Sequence, residues 1–230
     1  MAIAPRRIEE ILRDVPLFAG LGERGVARFA RRGVVVEATR GSVIFRKGDP
    51  SSALHVVAHG QVKLSFQNGS GDEKIVELIG AGSTFGEACL LLGESYLVTA
   101  EAISRTRLVQ LPKETVLDEI RHNPEFSRGV IGALSRRLYE RMRDLENCML
   151  RSGTQRVIAF LLNQVPDGAG DRGVAVTLPA QKRIIASRLN LTNEHFSRIL
   201  RALTGGALIE VDGRSVRIPD LRRLRICSAH

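Results

Sequence analysis

Lys182-Arg-Ile-Ile-Ala-Ser-Arg-Leu-Asn-Leu-Thr-Asn-Glu-His-Phe-Ser-Arg-Ile-Leu-Arg201 is the stretch whose reading decides the fold. Its apolar residues fall at helical spacing in two separate runs. In Lys182–Leu189 they are Ile184, Ile185 and Leu189, with small Ala186 where a second helix can cross closely. Asn190-Leu191 breaks the period, and Thr192 is a hydroxyl N-cap for the helix that follows. That helix, Asn193–Thr204, puts Phe196, Ile199, Leu200 and Leu203 on its inner side and stops at Gly205-Gly206. Asn193, Glu194, Ser197, Arg198 and Arg201 remain on the outer side. Glu194, Ser197 and Arg198 share one face near the N-terminus, the end of a recognition helix that enters a DNA major groove. Arg198 can fork onto guanine O6 and N7, Glu194 can accept from cytosine N4, and Ser197 can pair either way. Two crossed helices also occur as plain packing, and Glu194 with Arg198 has the spacing of a surface ion pair.

The flanks support the DNA reading. Ile209–Val211 and Ser215–Ile218 predict a hairpin with Asp212-Gly213 as its two-residue turn and Arg214 at the tip, facing phosphate. Upstream lie a helix with Val157, Ile158, Phe160, Leu161 and Leu162, and a short strand over Val174–Leu178. The chain carries a net charge of +9. Residues 151–230 hold 13 Lys and Arg against 6 Asp and Glu, whereas residues 1–150 hold 21 against 19. A small basic domain beside a nearly neutral one suits a polyanion partner.

Between Pro124 and about Arg151 the pattern is one continuous helix. Ile131, Leu134, Leu138, Met142, Leu145 and Met149 recur every three or four residues among charged neighbours that include Arg136, Arg137 and Arg141. Such a stripe suits a two-stranded helical interface, here a dimer, or packing on its own domain. Residues 33–111 read as short strands: Val34–Val36, Val43–Phe45, His55–Val57, Val62–Leu64, Ile75–Leu78, Val98–Ala100 and Leu108–Leu111. Gly41, Gly48, Gly60, Gly80 and Gly82 punctuate them, as in a jelly roll able to hold one small ligand. A short helix over residues 6–14 precedes the strands and another, Lys113–Arg121, follows them.

These readings give an α+β chain in three parts: a sensor β-barrel over 1–122, a dimerisation helix over 123–151 and a winged helix-turn-helix over 152–230. Cys89, Cys148 and Cys227 lie far apart and form neither a disulfide framework nor a metal-ligand spacing. No apolar run reaches the ~20 residues needed to span a bilayer, and no secretory segment is read. The expected location is the cytoplasm. An enzyme with a regulatory barrel is the rival class, but no nucleophile–base set, carboxylate pair or phosphate-binding glycine loop supports it.

Gly41-Ser-Val-Ile-Phe-Arg-Lys-Gly48-Asp, Gly60-Gln-Val-Lys, Phe85-Gly-Glu-Ala88, the long helix and Glu194-His-Phe-Ser-Arg198 follow in this order. With them the chain resembles the CRP/FNR superfamily of bacterial regulators over nearly its whole length. The resemblance implies a cyclic-nucleotide-binding-like jelly roll, a homodimer, control of transcription and RNA polymerase as a partner. The E-x-x-S-R helix is similar to that of FNR, which implies that Glu194, Ser197 and Arg198 read TTGAT-N4-ATCAA as an inverted repeat. Lys182, Arg183, Thr192, Asn193, Arg201 and Arg214 would then contact DNA phosphates.

For the sensor, the resemblance implies a pocket at Phe85, Gly86, Glu87, Ala88, Tyr96 and Leu97. Glu87 fits the residue that holds ribose in cAMP-binding members. The Arg-Ser pair that holds the cyclic phosphate falls near Tyr96-Leu97, which offers no cation, and this argues against cAMP. An FNR-type iron–sulfur cluster is excluded because the first 88 residues contain no cysteine. The segment from Phe85 to Ala102 looks most like the Dnr regulators, which implies haem as ligand and nitric oxide as signal, in nitrogen-oxide or low-oxygen respiration. His55, His59 and His122 are the candidate axial ligands; His195 lies in the recognition helix. A ligand-independent regulator of the FixK type and a cAMP-responsive one remain the alternatives.

Overall fold

The computed structural model describes residues 5–67, 73–166 and 168–229. The chain forms two compact units that part within the long helix, after Tyr139.

The first unit begins with α1 (Pro5–Arg13), a 3-10 turn at Pro16–Phe18 and α2 (Glu23–Arg32). Eight strands follow: β1 (Val34–Ala38), β2 (Val43–Phe45), β3 (Ala53–His59), β4 (Gln61–Gln67), β5 (Glu73–Gly80), β6 (Thr84–Phe85), β7 (Thr99–Ala102) and β8 (Thr106–Pro112). A short α3 (Glu87–Leu92) interrupts them between β6 and β7. The strands form two antiparallel four-stranded sheets, ordered β1-β8-β3-β6 and β2-β7-β4-β5. The seven strands read from the sequence are all present. The two-residue β6, α2 and α3 were not anticipated.

Two cores hold this unit. Between the sheets, Phe45, Val57, Val62, Leu64, Ile79, Phe85, Tyr96, Ala100 and Leu108 interlock. Outside the first sheet, α1, α2, α4 (Lys113–His122) and the start of α5 (Pro124–Leu150) close over Val56, Val109 and Leu111. Phe18, Phe29 and Phe126 meet there with ring centroids 5.4–5.9 Å apart, the range of favourable aromatic pairs.

Phe126 and Val130 of α5 are buried in this core, and Leu134 is partly packed on it. Further along, Ile131, Leu138, Met142, Leu145 and Met149 are each 56–73 % exposed. Of the six stripe residues, only Leu134 therefore packs on its own domain.

The second unit holds the remainder of α5, then α6 (Gly153–Leu162), β9 (Arg172–Thr177), α7 (Lys182–Arg188), α8 (Asn193–Gly205), β10 (Glu210–Asp212), β11 (Ser215–Asp220) and α9 (Leu221–Ala229). Ser152 opens α6 with a reciprocal capping box: its hydroxyl accepts from Gln155 N–H, and the Gln155 side chain accepts from Ser152 N–H. The strands form a sheet ordered β10-β11-β9, and the helices enclose Val157, Ile158, Leu161, Ile185, Phe196, Leu200 and Leu203. The C-terminal helix α9 was not anticipated.

The β3–β4 turn is the most constrained backbone in the barrel. Gly60 has φ of +88°, and a Cβ there would lie 2.4 Å from the Arg105 carbonyl oxygen. A side chain would meet both left-handed strain and a backbone clash. Gly60→Ala is expected to destabilise the barrel by at least about 2 kcal/mol, seen as a lower urea midpoint with unchanged slope.

Candidate functional site

In the second unit α7 and α8 form the helix-turn-helix. Asn190 takes φ of +58°, a left-handed conformation that asparagine tolerates better than most residues, and this turns the chain between the helices. Leu191 N–H bonds to Ala186 O at 2.9 Å, closing the turn. Thr192 caps α8 as expected, its hydroxyl accepting from His195 N–H at 3.2 Å. From α6, Arg156 donates to the carbonyls of Leu189 and Asn190 at 2.7 and 3.3 Å and fixes the turn from behind. The start of α6 lies so close that a Cβ on Gly153 would stand 3.1–3.3 Å from Leu191, His195 and Ile199.

This scaffold buries the inner side of α8 and leaves Glu194 and Arg198 exposed, with Ser197 half-buried between them. Among the described residues no ion pair joins Glu194 to Arg198, so both heads stay available for base edges. Asn193, Arg201 and Arg183 are exposed and Lys182 is half-buried, so these expected phosphate contacts lie on the surface of α7 and α8.

The wing differs from the expectation. Asp212 pairs with Ser215, so the two loop residues are Gly213-Arg214 and not Asp212-Gly213. Glycine stands first with φ of +56°, where type II′ hairpins place it. Arg214 does not reach outward: its Nε and Nη2 donate to the Leu178 carbonyl at 3.0 and 2.7 Å. Leu178 N–H in turn donates to Arg214 O at 2.8 Å. Arg214 therefore ties the wing to the end of β9, because β9 pairs with β11 and brings Leu178 beneath the tip.

The sensor pocket also differs. Phe85 and Tyr96 point into the core between the sheets, while Ala88 and Leu97 are exposed and line no interior. His55 stacks on Phe85 at 4.8 Å, and Tyr96 stacks on Phe45 at 3.6 Å. The Tyr96 hydroxyl donates to Ala53 O at 3.2 Å, so the proton between Tyr96 and His55 Nε2, 3.1 Å apart, belongs to the histidine. These side chains fill the container expected from the strand pattern. The residues do not fit haem: His55 is packed among rings, while His59 and His122 are exposed at the ends of β3 and α4. His122 Nδ1 lies 3.1 Å from Asp118. Among the described residues no group of histidine, cysteine and carboxylate side chains is arranged to hold a metal.

Glu87 is buried at the start of α3, behind Gly86 with φ of +90°. Its partner is Arg137 of α5, whose guanidinium bonds to the Glu87 carboxylate, donates to Thr84 O at 2.7 Å and stands 3.4 Å from Glu77. Sequence reading placed Arg137 on the solvent side of the helix. A pair separated by 50 residues leaves no local signal.

Residues 35–123 match the cyclic nucleotide-binding domain family, and residues 155–227 match the Crp-like helix-turn-helix domain family. The chain belongs to the CRP/FNR family. Members of this family are transcriptional regulators, and the second unit is a DNA-binding domain. The cyclic AMP receptor protein of Thermus thermophilus is 29% identical over 213 residues, covering 91% of this chain and 94% of that protein. A solved structure from Ruegeria pomeroyi, described as a cyclic nucleotide binding protein, is 29% identical with a TM-score of 0.64, covering 99% of this chain and 100% of its own. The structure of DNR from Pseudomonas aeruginosa is 28% identical with a TM-score of 0.51, covering 95% and 96%. Identities this even single out no subgroup within the family. Among the described residues no helix is long and apolar enough to cross a membrane.

Two tests follow from this geometry. Arg198→Ala is expected to erase the preference for the operator over unrelated DNA, each lost guanine contact removing about 1–3 kcal/mol of discrimination. Arg214→Ala is expected instead to lower the melting temperature of the DNA-binding domain and to weaken operator and unrelated DNA alike. Equal loss of discrimination in both variants, measured by fluorescence anisotropy, would reverse these assignments. The second test concerns His55, whose pKa burial pushes down from 6.5 to about 4. Between these values the unfolded chain binds more protons than the folded one, so stability is complete above pH 6.5 and declines as pH falls towards 4. The interval corresponds to roughly 3 kcal/mol. Urea midpoints at pH 7 and pH 5 should differ more for the native chain than for His55→Gln.

Proposed function

We propose that the chain is a homodimeric transcriptional regulator that reads a TTGAT-N4-ATCAA-like inverted repeat through Glu194, Ser197 and Arg198. The observation that carries this reading is the row formed by these residues on the outer side of a helix whose inner side, cap and preceding turn are all fixed. Two such helices related by a dimer axis require half-sites about one DNA turn apart. The apolar residues exposed on α5 support the dimer, because isolated helices of this composition bury such a stripe against a second one. Lys182, Arg183, Asn193 and Arg201 supply phosphate contacts, which set affinity and salt dependence but not sequence choice. RNA polymerase is the further partner expected of such a regulator.

A second reading concerns control, and the Glu87–Arg137 contact favours it. The carboxylate that holds ribose in cAMP-binding relatives is already engaged by the chain's own guanidinium, and the barrel interior is filled. The regulator therefore binds its operator without haem or cAMP, as in the ligand-independent reading.

Sedimentation and anisotropy with labelled operator test both readings. The chain should sediment as a dimer and bind TTGAT-N4-ATCAA without additives, while Leu138→Glu with Met142→Glu should give monomers that bind at least tenfold more weakly. Operator binding that appears only with hemin or cAMP would overturn ligand independence. Equal affinity for a scrambled operator would overturn the half-site.

A further inference from the structure

The first sheet ends on a strand with an open edge. β1 (Val34–Ala38) pairs with β8 on one side only. In an antiparallel strand with a single neighbour, every second residue turns its N–H and C=O outward. Among the described residues nothing bonds to these outward groups of β1. The ladder to β8 runs from Val34 to Ala38 without a bulge, and the strand contains no proline. Bulges, prolines and very short length are the usual protection of such an edge. The ends of the sheets elsewhere are shorter or engaged. β6 has two residues and β2 has three, while residues 73–77 of β5 have further interactions.

The two faces of β1 differ in chemistry. Val35 packs on the helix-covered core and shares its face with Glu37, whereas Val36 packs on the core between the sheets and shares its face with Val34. On the first face Arg107 Nε donates to the Glu37 carboxylate at 2.6 Å. That hydrogen bond, with the charges of Arg107, Arg105 and Arg7, holds the Glu37 carboxyl below the usual carboxylate range. Three guanidiniums thus act on one carboxylate, and Arg105 and Arg7 are exposed with no ion pair of their own among the described residues. On the second face Val34 is 57% exposed and Val36 is half-buried.

We propose that β1 is a docking edge for an extended segment of a partner protein, which joins the sheet as a further strand and alternates acidic with β-branched residues. In this mode backbone hydrogen bonds supply affinity and the alternate side chains supply the choice of partner. Acidic side chains on the Glu37 face would share its arginines, since each guanidinium has five N–H donors. β-Branched side chains on the other face would cover Val34 and Val36. A second copy of β1 would bring its own arginines to the same rim, so the charge favours a different chain.

A peptide titration tests this on the full-length protein. The probe is a synthetic peptide of eight residues, alternating glutamate and valine, with blocked ends and a fluorescent label. Its lysine–valine counterpart is the control at matched ionic strength. The acidic peptide should bind saturably, one per chain, and slow amide hydrogen exchange over Val34–Ala38 at least tenfold, while the basic peptide should not bind. Methylating the peptide's amide nitrogens separates an added strand from simple charge attraction. Methylation on every glutamate or on every valine should abolish binding in one case and leave it within twofold in the other, because only one row of amides faces β1. Arg7→Glu with Arg105→Glu should weaken binding at least tenfold. The methylated peptides are read on the native chain, so the outcome does not depend on how well this variant folds. Equal binding of both methylated peptides, equal binding of the basic peptide, or unchanged exchange over β1 would overturn the proposal. So would exchange over β1 that is already slow without peptide and speeds up on dilution, the sign of a second copy on this edge.

Discussion

The architecture depends on how little of α5 its own sensor domain covers. Phe126 and Val130 lie in the aromatic core with Phe18 and Phe29, and they fix where the helix starts. The helix then runs for 27 residues in all, about 40 Å at 1.5 Å per residue, which exceeds what a barrel of this size can cover. Everything past Leu134 on the apolar stripe is left in water, where side chains of this size lose about 1.5–3 kcal/mol each of available burial energy. Exposed apolar area on that scale is tolerable in a folded chain when a second surface covers it. The proposed dimer thus follows from helix length as much as from helix composition.

Arg137 complements this anchor with a polar one, seven residues beyond Val130 and on the side of the helix that returns to the barrel. A buried ion pair contributes less to net stability than its contacts suggest, because both groups lose water. It does fix position: a guanidinium bonded to β6 and α3 at once holds the helix in one rotational setting. Behind it lies an aromatic interior in which His55 and Tyr96, two of the groups expected to meet haem or a cyclic phosphate, are hydrogen-bonded to each other.

Features encoded within one element were legible from the sequence. The two helices, the Thr192 cap and the outer face of α8 were all visible, since cap chemistry and helical period are local. So were seven strands, from β-branched runs between glycines. Features set by distant pairing were not. Asp212-Gly213 is the stronger hairpin signal taken alone, but the register of β11 against β9 moves the turn to Gly213-Arg214 and draws Arg214 onto Leu178. Arg137 looks like any other arginine on a charged helix until Glu77 and Glu87 are brought beneath it. Of the missed elements α2 carried a usable signal: Val26, Phe29 and Ala30 recur at helical spacing and all are buried. The six-residue α3 and two-residue β6 are too short to show a period.

The wing closes on itself in both directions, since Leu178 donates to the backbone of Arg214 and receives the Arg214 guanidinium. A loop held by its own arginine is ordered before any partner arrives. Immobilising a long side chain on binding ordinarily costs about 0.5–1.5 kcal/mol, and here folding has already met that cost. Contact between the wing and a DNA backbone would be a docking of rigid surfaces, fast to form and indifferent to base sequence, leaving discrimination to the helix alone.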